Sequence, residues 1–154
     1  MHVRSDRRYR FPVPPDQVWS AATAIDSYTT WWPWLRRFDA DAFRAGAVWS
    51  CVVKPPLPYA VAFTVTLDEV VPVGFVRASI AGDVTGSAEI VIAEAPGGSE
   101  ARLVSELAPG SSLLEMLARA ARPVVRLGHD WVLDTGARQF RAGALPEIDV
   151  DPVT

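Results

Sequence analysis

The sequence predicts an α+β domain in which an antiparallel sheet of seven strands is covered by one long C-terminal helix, with two short helices inserted after the first strand. Three observations predict it. Residues between Asp39 and Leu107 alternate apolar and polar, the period switches to a helical one after Pro109-Gly110, and a proline-led helix start follows directly on residues 2–11. A chain of 154 residues that is 49% hydrophobic and 21% charged can bury one sizeable core. That balance excludes a disordered chain.

Residues 2–11 read as the first strand. Behind it, Pro12-Val-Pro-Pro-Asp places proline and an acid at a helix start, so a short helix is expected over Pro15–Ala24 with Val18 and Trp19 facing inward. Asp26 and Ser27 can cap a second short helix carrying Trp31, Trp32 and Trp34, which Pro33 bends or ends. The alternation then defines the strand faces. Trp49, Cys51 and Val53 share one. Val61, Phe63, Val65 and Leu67 oppose Thr64, Thr66 and Asp68, and Val76, Ala78 and Ile80 oppose Arg77 and Ser79. Val84, Gly86, Ala88, Ile90 and Ile92 oppose Thr85, Ser87 and Glu89, and Ala101, Leu103, Ser105 and Leu107 oppose Arg102 and Glu106. Period two with one polar side means a sheet wet on one face. Lys54-Pro-Pro-Leu-Pro, Val71-Pro-Val-Gly, Gly82-Asp and Pro96-Gly-Gly-Ser fit hairpin turns, and six strands are expected between Asp39 and Leu107, seven with the first.

Beyond Pro109-Gly110, Ser112 and Glu115 have the spacing of a capping box, and Pro123 should kink or split the helical segment. From Pro123 to Ala142 one face holds Val125, Gly128, His129, Val132, Gly136 and Phe140, while Arg126, Asp130, Asp134, Arg138 and Arg141 fall mainly on the other. At 1.5 Å per residue, about 20 residues give roughly 30 Å, enough to cross a sheet. One domain is therefore expected over 1–145, with a flexible acidic tail over 146–154.

Charge and cysteine content narrow the function. A net charge of −3 and a pI near 5.3 argue against sequence-independent binding of nucleic acid. Cys51 is alone, so no intramolecular disulfide forms, and with only His2 and His129 beside it a zinc site is not expected. No metal and no cofactor are expected. The uncharged run Pro55–Leu67 is too short and too proline-rich to span a membrane, and the N-terminus lacks a signal-peptide core, so no membrane insertion and a cytoplasmic location are expected. A homodimer is compatible with the sequence.

Residue size on the buried faces is the informative quantity. Ala78, Gly86, Ala88, Ala101 and Ser105 on the strands face Gly128, Gly136 and Ala137 on the helix. Interiors pack densely, so these surfaces either approach closely or enclose a space. The large aromatics Trp31, Trp32, Trp34, Trp49 and Phe63 lie elsewhere and could wall a cavity, on the order of 300–1,000 Å³ for a ligand pocket.

Four segments carry a family resemblance: Pro14-Pro-Asp-Gln-Val-Trp19, Trp31-Trp-Pro-Trp-Leu35, Gly82-Asp-Val-Thr-Gly86 and Gly128-His-Asp-Trp-Val-Leu133. In these and in element order over residues 2–143, the chain resembles the START-related SRPBCC superfamily, in its polyketide cyclase/dehydrase and lipid transport branch. The resemblance implies a helix-grip fold, a curved sheet wrapped around the long helix with an internal apolar pocket. It does not fix an activity, because that superfamily holds carriers, hormone-binding proteins, cyclases and aromatases.

The chemistry on offer is sparse. His129 is the candidate acid–base residue, able to bond a ligand carbonyl or move a proton near neutral pH; the alternative is a histidine at the cavity edge bonded to backbone or water. Asp130 is expected to face solvent, about 100° around the helix from it. There is no Gly-x-Ser-x-Gly, Cys51 reads as a core residue, and Glu89 and Glu106 sit on the wet face. The tryptophans offer flat apolar contacts to a ligand or serve as lid packing. The pairs Arg7-Arg8 and Arg36-Arg37 read as solvated surface, and Tyr59 as a residue near the pocket rim. The expected ligand-binding set is Trp31, Trp34, Trp49, Phe63, Val65, Ala78, Ala88, His129, Val132, Gly136 and Phe140, holding a lipid, polyketide or other aromatic metabolite. A cyclase or dehydratase using the same cavity, with His129 as acid–base, is the second expectation. Outward Thr, Arg and Glu residues argue against a protein-docking sheet face.

Overall fold

The alternating segments form the strands. The computed structural model describes residues 3–120 and 122–145; the expected tail, 146–154, lies outside the described residues. In chain order the elements are β1 (Val3–Phe11), α1 (Pro15–Ala22), a 3-10 turn (Ile25–Ser27), α2 (Tyr28–Trp31), β2 (Leu35–Asp39), β3 (Val48–Val53), β4 (Val61–Val71), β5 (Phe75–Gly82), β6 (Val84–Ala95), β7 (Gly98–Pro109), α3 (Ser112–Ala120) and α4 (Arg122–Ala144). The seven strands make one antiparallel sheet in the order β1-β7-β6-β5-β4-β3-β2. Because β1 and β2 occupy opposite edges, α1 and α2 carry the chain from one edge to the other.

The local differences from expectation have local causes. α1 starts with Pro15 at its first position and Asp16 in its first turn, and buries Val18 and Trp19, as the pattern requires. α2 is only four residues long. Trp32 is already its C-cap at φ −120°, ψ 89°, because Pro33 bars the residue before it from helical geometry, so Trp32 and Trp34 are not helical. β2 begins at Leu35 rather than near Asp39. A bulge between Leu35 and Arg37 breaks the alternation and hides the strand from a period-two reading. The cap of α3 is Ser111, not Ser112: its Oγ accepts the Leu114 N–H at 3.2 Å, and Glu115 pairs instead with Arg119 at 3.1 Å.

The outer sheet face carries cross-strand ion pairs, among them Arg102–Asp6, Arg8–Glu100 and Arg77–Glu69. The inner face carries two hydrophobic clusters. One gathers Phe11, Val13, Val18, Trp19, Ile92, Phe140 and Leu145; the other gathers Tyr28, Leu35 and Cys51 with Trp49, Phe38, Phe63 and Val65 around them. Trp31 touches both, its ring edge-on to Phe140 at 5.4 Å.

Gly86 corrects one expectation. Its small size does not open space between sheet and helix. It sits at φ +151°, where an added Cβ would collide with the Glu106 carbonyl of β7, so the residue serves close strand pairing in β6. Gly86→Ala is therefore expected to destabilise the fold by about 2–4 kcal/mol, read as a lowered urea midpoint with unchanged slope.

Candidate functional site

Strand β1 turns Val3, Ser5, Arg7, Tyr9 and Phe11 to one side, toward α4. Only the two ends of that row are apolar, and the polar middle meets polar groups of the helix. Ser5 lies opposite Ser105 in the β1–β7 register, and both are 4% exposed. His129 sits over the pair: the Ser5 Oγ is 3.2 Å from Nδ1 and the Ser105 Oγ 3.2 Å from Nε2. The ring thus bridges two strands from above, with both nitrogens engaged.

Behind Nδ1 stands a charged network. Ser5 also donates to Asp130 Oδ1 at 3.4 Å, and that carboxylate lies 3.7 Å from Nδ1. Arg7 reaches Asp130 at 3.3 Å and Asp134 at 3.7 Å, Arg126 reaches Asp130 at 3.8 Å, and Tyr9 donates to Asp134 at 2.8 Å. Asp130 is consequently not a simple solvent-facing residue, nor Arg7 a solvated one; β1 carries polar residues on its helix-facing side and draws both in. Burial lowers the His129 pKa below its ordinary value; Asp130 opposes that shift, while Arg126 and Arg7 add to it.

Beside this polar corner, between the sheet and the first half of α4, lies a cavity of about 220 Å³. Its walls come from β1, β3 to β7, α3 and α4, and include Phe63, Ile80, Ala88, Leu107, Leu114 and Val132. Among the described residues, Tyr59, Ser105 and His129 are the only polar side chains in the lining, and no Asp, Glu, Lys or Arg contributes. Of the residues expected at a ligand, Phe63, Ala88, His129 and Val132 line this cavity together. Trp31, Trp34, Trp49, Val65, Ala78, Gly136 and Phe140 are not in its lining. Trp31 and Phe140 pack in one core cluster, Trp34, Trp49 and Val65 around the other, and Ala78 is buried on β5.

The helix glycines explain that division. An added Cβ at Gly136 would lie 3.2 Å from the Trp34 ring, and one at Gly143 2.6 Å from the Trp31 ring. These glycines admit indoles, so that half of the interface is filled. Trp32 Nε1 donates to the Gly136 carbonyl at 2.9 Å and Trp34 Nε1 to Gln139 at 2.7 Å. Gly128 admits the Tyr59 hydroxyl in the same way. The cavity is accordingly smaller than the 300–1,000 Å³ expected. Ser5 and the wall residues Val3 and Leu114 escaped the sequence reading. The signal for Ser5 was its place in the odd-numbered row that begins with Val3 and ends with Phe11.

Other chemistry is not assembled among the described residues. Burial pushes the Cys51 thiol up to about 12, far from a nucleophile. No group of three His, Cys, Asp or Glu is placed to hold a metal ion, and no helix is long and apolar enough to cross a membrane.

Solved structures share this architecture over nearly the whole chain. An aromatase/cyclase, Zhui from Streptomyces sp. R1128, superposes with a TM-score of 0.79 at 12% identity, covering 100% of both chains. This is the helix-grip fold. The same helix-grip fold appears in Ara h 8.0201, with a TM-score of 0.69, 12% identity and 96% and 100% of the two chains covered. The di-domain ARO/CYC BexL of the BE-7585A biosynthetic pathway matches with a TM-score of 0.71 at 12% identity, over 98% of this chain and 51% of its own. No family model matches the sequence, and no curated protein does. At these identities the likeness establishes the helix-grip fold alone.

The His129 environment carries a pH signature. Folding lowers its pKa, so the unfolded chain binds the extra proton first as pH falls. The contribution of neutral His129 is intact above the unfolded value near 6.5 and is lost as pH drops from there through the folded pKa, with a slope of at most about 1.4 kcal/mol per pH unit. Urea titrations from pH 7.5 to 5 should show that loss, and His129→Gln should flatten it.

Proposed function

We propose that this chain binds a hydrophobic small molecule in the cavity between the sheet and α4, with Phe63, Ala88 and Val132 as apolar contacts and His129 orienting a polar group. The observation that supports the reading most is the make-up of the cavity: apolar walls from eight elements, with its three polar side chains including a hydrogen-bonded histidine and serine. Natural binding sites have this composition, apolar area for affinity and few polar groups for orientation. Native mass spectrometry of gently purified protein is the direct test, expected to show a co-purified small molecule. Ala88→Phe, which would fill the space, should cut the loaded fraction at least roughly tenfold while shifting stability by no more than about 1–3 kcal/mol. Wild-type protein that emerges empty and takes up no apolar probe, from single rings to fatty acids, overturns the reading.

A second reading, an enzyme of cyclase or dehydratase type in the same cavity, is favoured by one specific feature. His129 has Nδ1 backed by Ser5 and Asp130, while the residue itself lines the cavity, the arrangement in which a proton can leave the cavity side and be balanced behind. The structural neighbours described as aromatase/cyclase make it worth testing. His129→Ala with ligand affinity kept and turnover lost supports an enzyme. Absence of wild-type turnover across polyketide and aryl-ketone substrates removes that reading.

A further inference from the structure

We propose that the cavity selects an uncharged molecule of one or two fused rings, carrying one oxygen that hydrogen-bonds at the His129–Ser105 corner. The assignment deepens the binding function proposed above and rests on it. Volume sets the size. An apolar cavity of about 150 Å³ holds one benzene, so about 220 Å³ corresponds to roughly nine or ten non-hydrogen atoms, a two-ring molecule. An extended acyl chain or a four-ring polyketide would need space that the indoles of Trp31 and Trp34, set against Gly143 and Gly136, already occupy.

Charge is excluded by what the walls lack. None of the lining residues is Asp, Glu, Lys or Arg, so a carboxylate or ammonium on the ligand would be desolvated without a counter-ion, a cost several-fold larger than any single contact regains. The carboxylate beside His129, Asp130, lies on the Nδ1 side of the imidazole and is engaged with Arg7 and Arg126. Burial opposes conversion of His129 to a cation, which leaves the corner a neutral hydrogen-bonding site. The lining offers the Ser105 hydroxyl, the imidazole and the Tyr59 hydroxyl, groups able to donate to a carbonyl or exchange with a hydroxyl.

An isosteric series tests size and charge separately. Indane, 1-indanone and 1-aminoindane have nearly one shape and differ in one substituent, respectively none, a neutral oxygen and an ammonium. Myristate and pyrene probe a charged chain and a larger ring system. Binding to the full chain is followed by amide NMR shifts at Val61, Leu107 and Val132 and by calorimetry at pH 7.5. Indane and 1-indanone are expected to bind there, the ketone roughly three- to tenfold tighter. 1-Aminoindane should bind at least roughly tenfold more weakly than indane, and myristate and pyrene should leave those amides unmoved. Ser105→Ala should abolish the advantage of the ketone while leaving indane affinity within about twofold, a readout that general loss of fold would not produce. Binding of 1-aminoindane, myristate or pyrene at these residues as tightly as 1-indanone overturns the size and charge assignment and leaves the broader binding function standing. Equal affinity of ketone and hydrocarbon in the wild type overturns the role of the corner. If no probe moves these amides, the binding function fails and this assignment with it.

Discussion

The structure depends on how α4 is seated on the sheet, and the seat differs between its two halves. Toward the C-terminal end, Trp31, Trp32 and Trp34 press rings against Gly143 and Gly136, and Phe140 meets Phe11 at 5.6 Å and Trp31 at 5.4 Å. Aromatic contacts of this kind contribute about 0.5–1.5 kcal/mol each beyond the area they bury. Toward the N-terminal end the helix presents Val125, Gly128 and Val132 to Ala88, Leu107 and Ser105, and there the Tyr59 hydroxyl, not an indole, meets the helix glycine and leaves the remainder unfilled. A rigid helix wedged at one end and facing small residues at the other leaves a partly open space beside its first turns. The cavity is a consequence of where the indoles stop.

Polar contacts fix the position of the helix more than they stabilise it. The ion pairs of Arg7 with Asp130 and Asp134 are a quarter to a half exposed, and pairs of that kind typically contribute under about 1 kcal/mol. His129 differs, being largely covered, with its side chain 14% exposed and serines on both sides. Net gains of about 0.5–1.5 kcal/mol per hydrogen bond are modest, but leaving either nitrogen unpaired in that setting costs more than the bond supplies. The bridge therefore specifies one rotation of α4 about its axis, the one that brings His129 and Val132 to the cavity and Asp130 to Arg7. Orientation of the site and docking of the helix are the same event.

How far the sequence discloses this varies with the kind of information. The strand faces, the helix starts at Pro15 and in α3, and the long final helix were legible because each rests on a local periodicity or a capping pattern. The bulge in β2 breaks the period at its start, and Pro33, expected to bend or end the second helix, ends it before Trp32, so that Trp32 and Trp34 fall outside it. At the site, His129, Val132, Ala88 and Phe63 could be named from which face they occupy. The error lay in treating small residues as equivalent. Gly136 is small because the Trp34 ring enters there, Gly128 because the Tyr59 hydroxyl does, and Gly86 because β7 approaches closely, whereas Ala88 and Ser105 border open volume. Telling these cases apart needs the partner across the interface, and a partner more than 100 residues away along the chain, as Trp34 is from Gln139, leaves no local pattern.

A fold shared with aromatase/cyclase structures at 12% identity does not specify what lines a pocket, and the lining decides the chemistry. Here the lining holds one imidazole, one serine hydroxyl and one phenol and no charge. Such a surface has no Lewis-acidic or anionic side chain with which to stabilise large charge separation, and its capacity for proton movement converges on His129. Any reaction it promotes must draw chiefly on holding a reactant in one geometry, which can lower a barrier by several kcal/mol when reacting atoms are already aligned, with a single proton shifted at the imidazole. Binding and such minimal catalysis differ by little in structure. The difference lies in whether the oxygen at the Ser105 corner belongs to a molecule with an acidic carbon within reach of that ring.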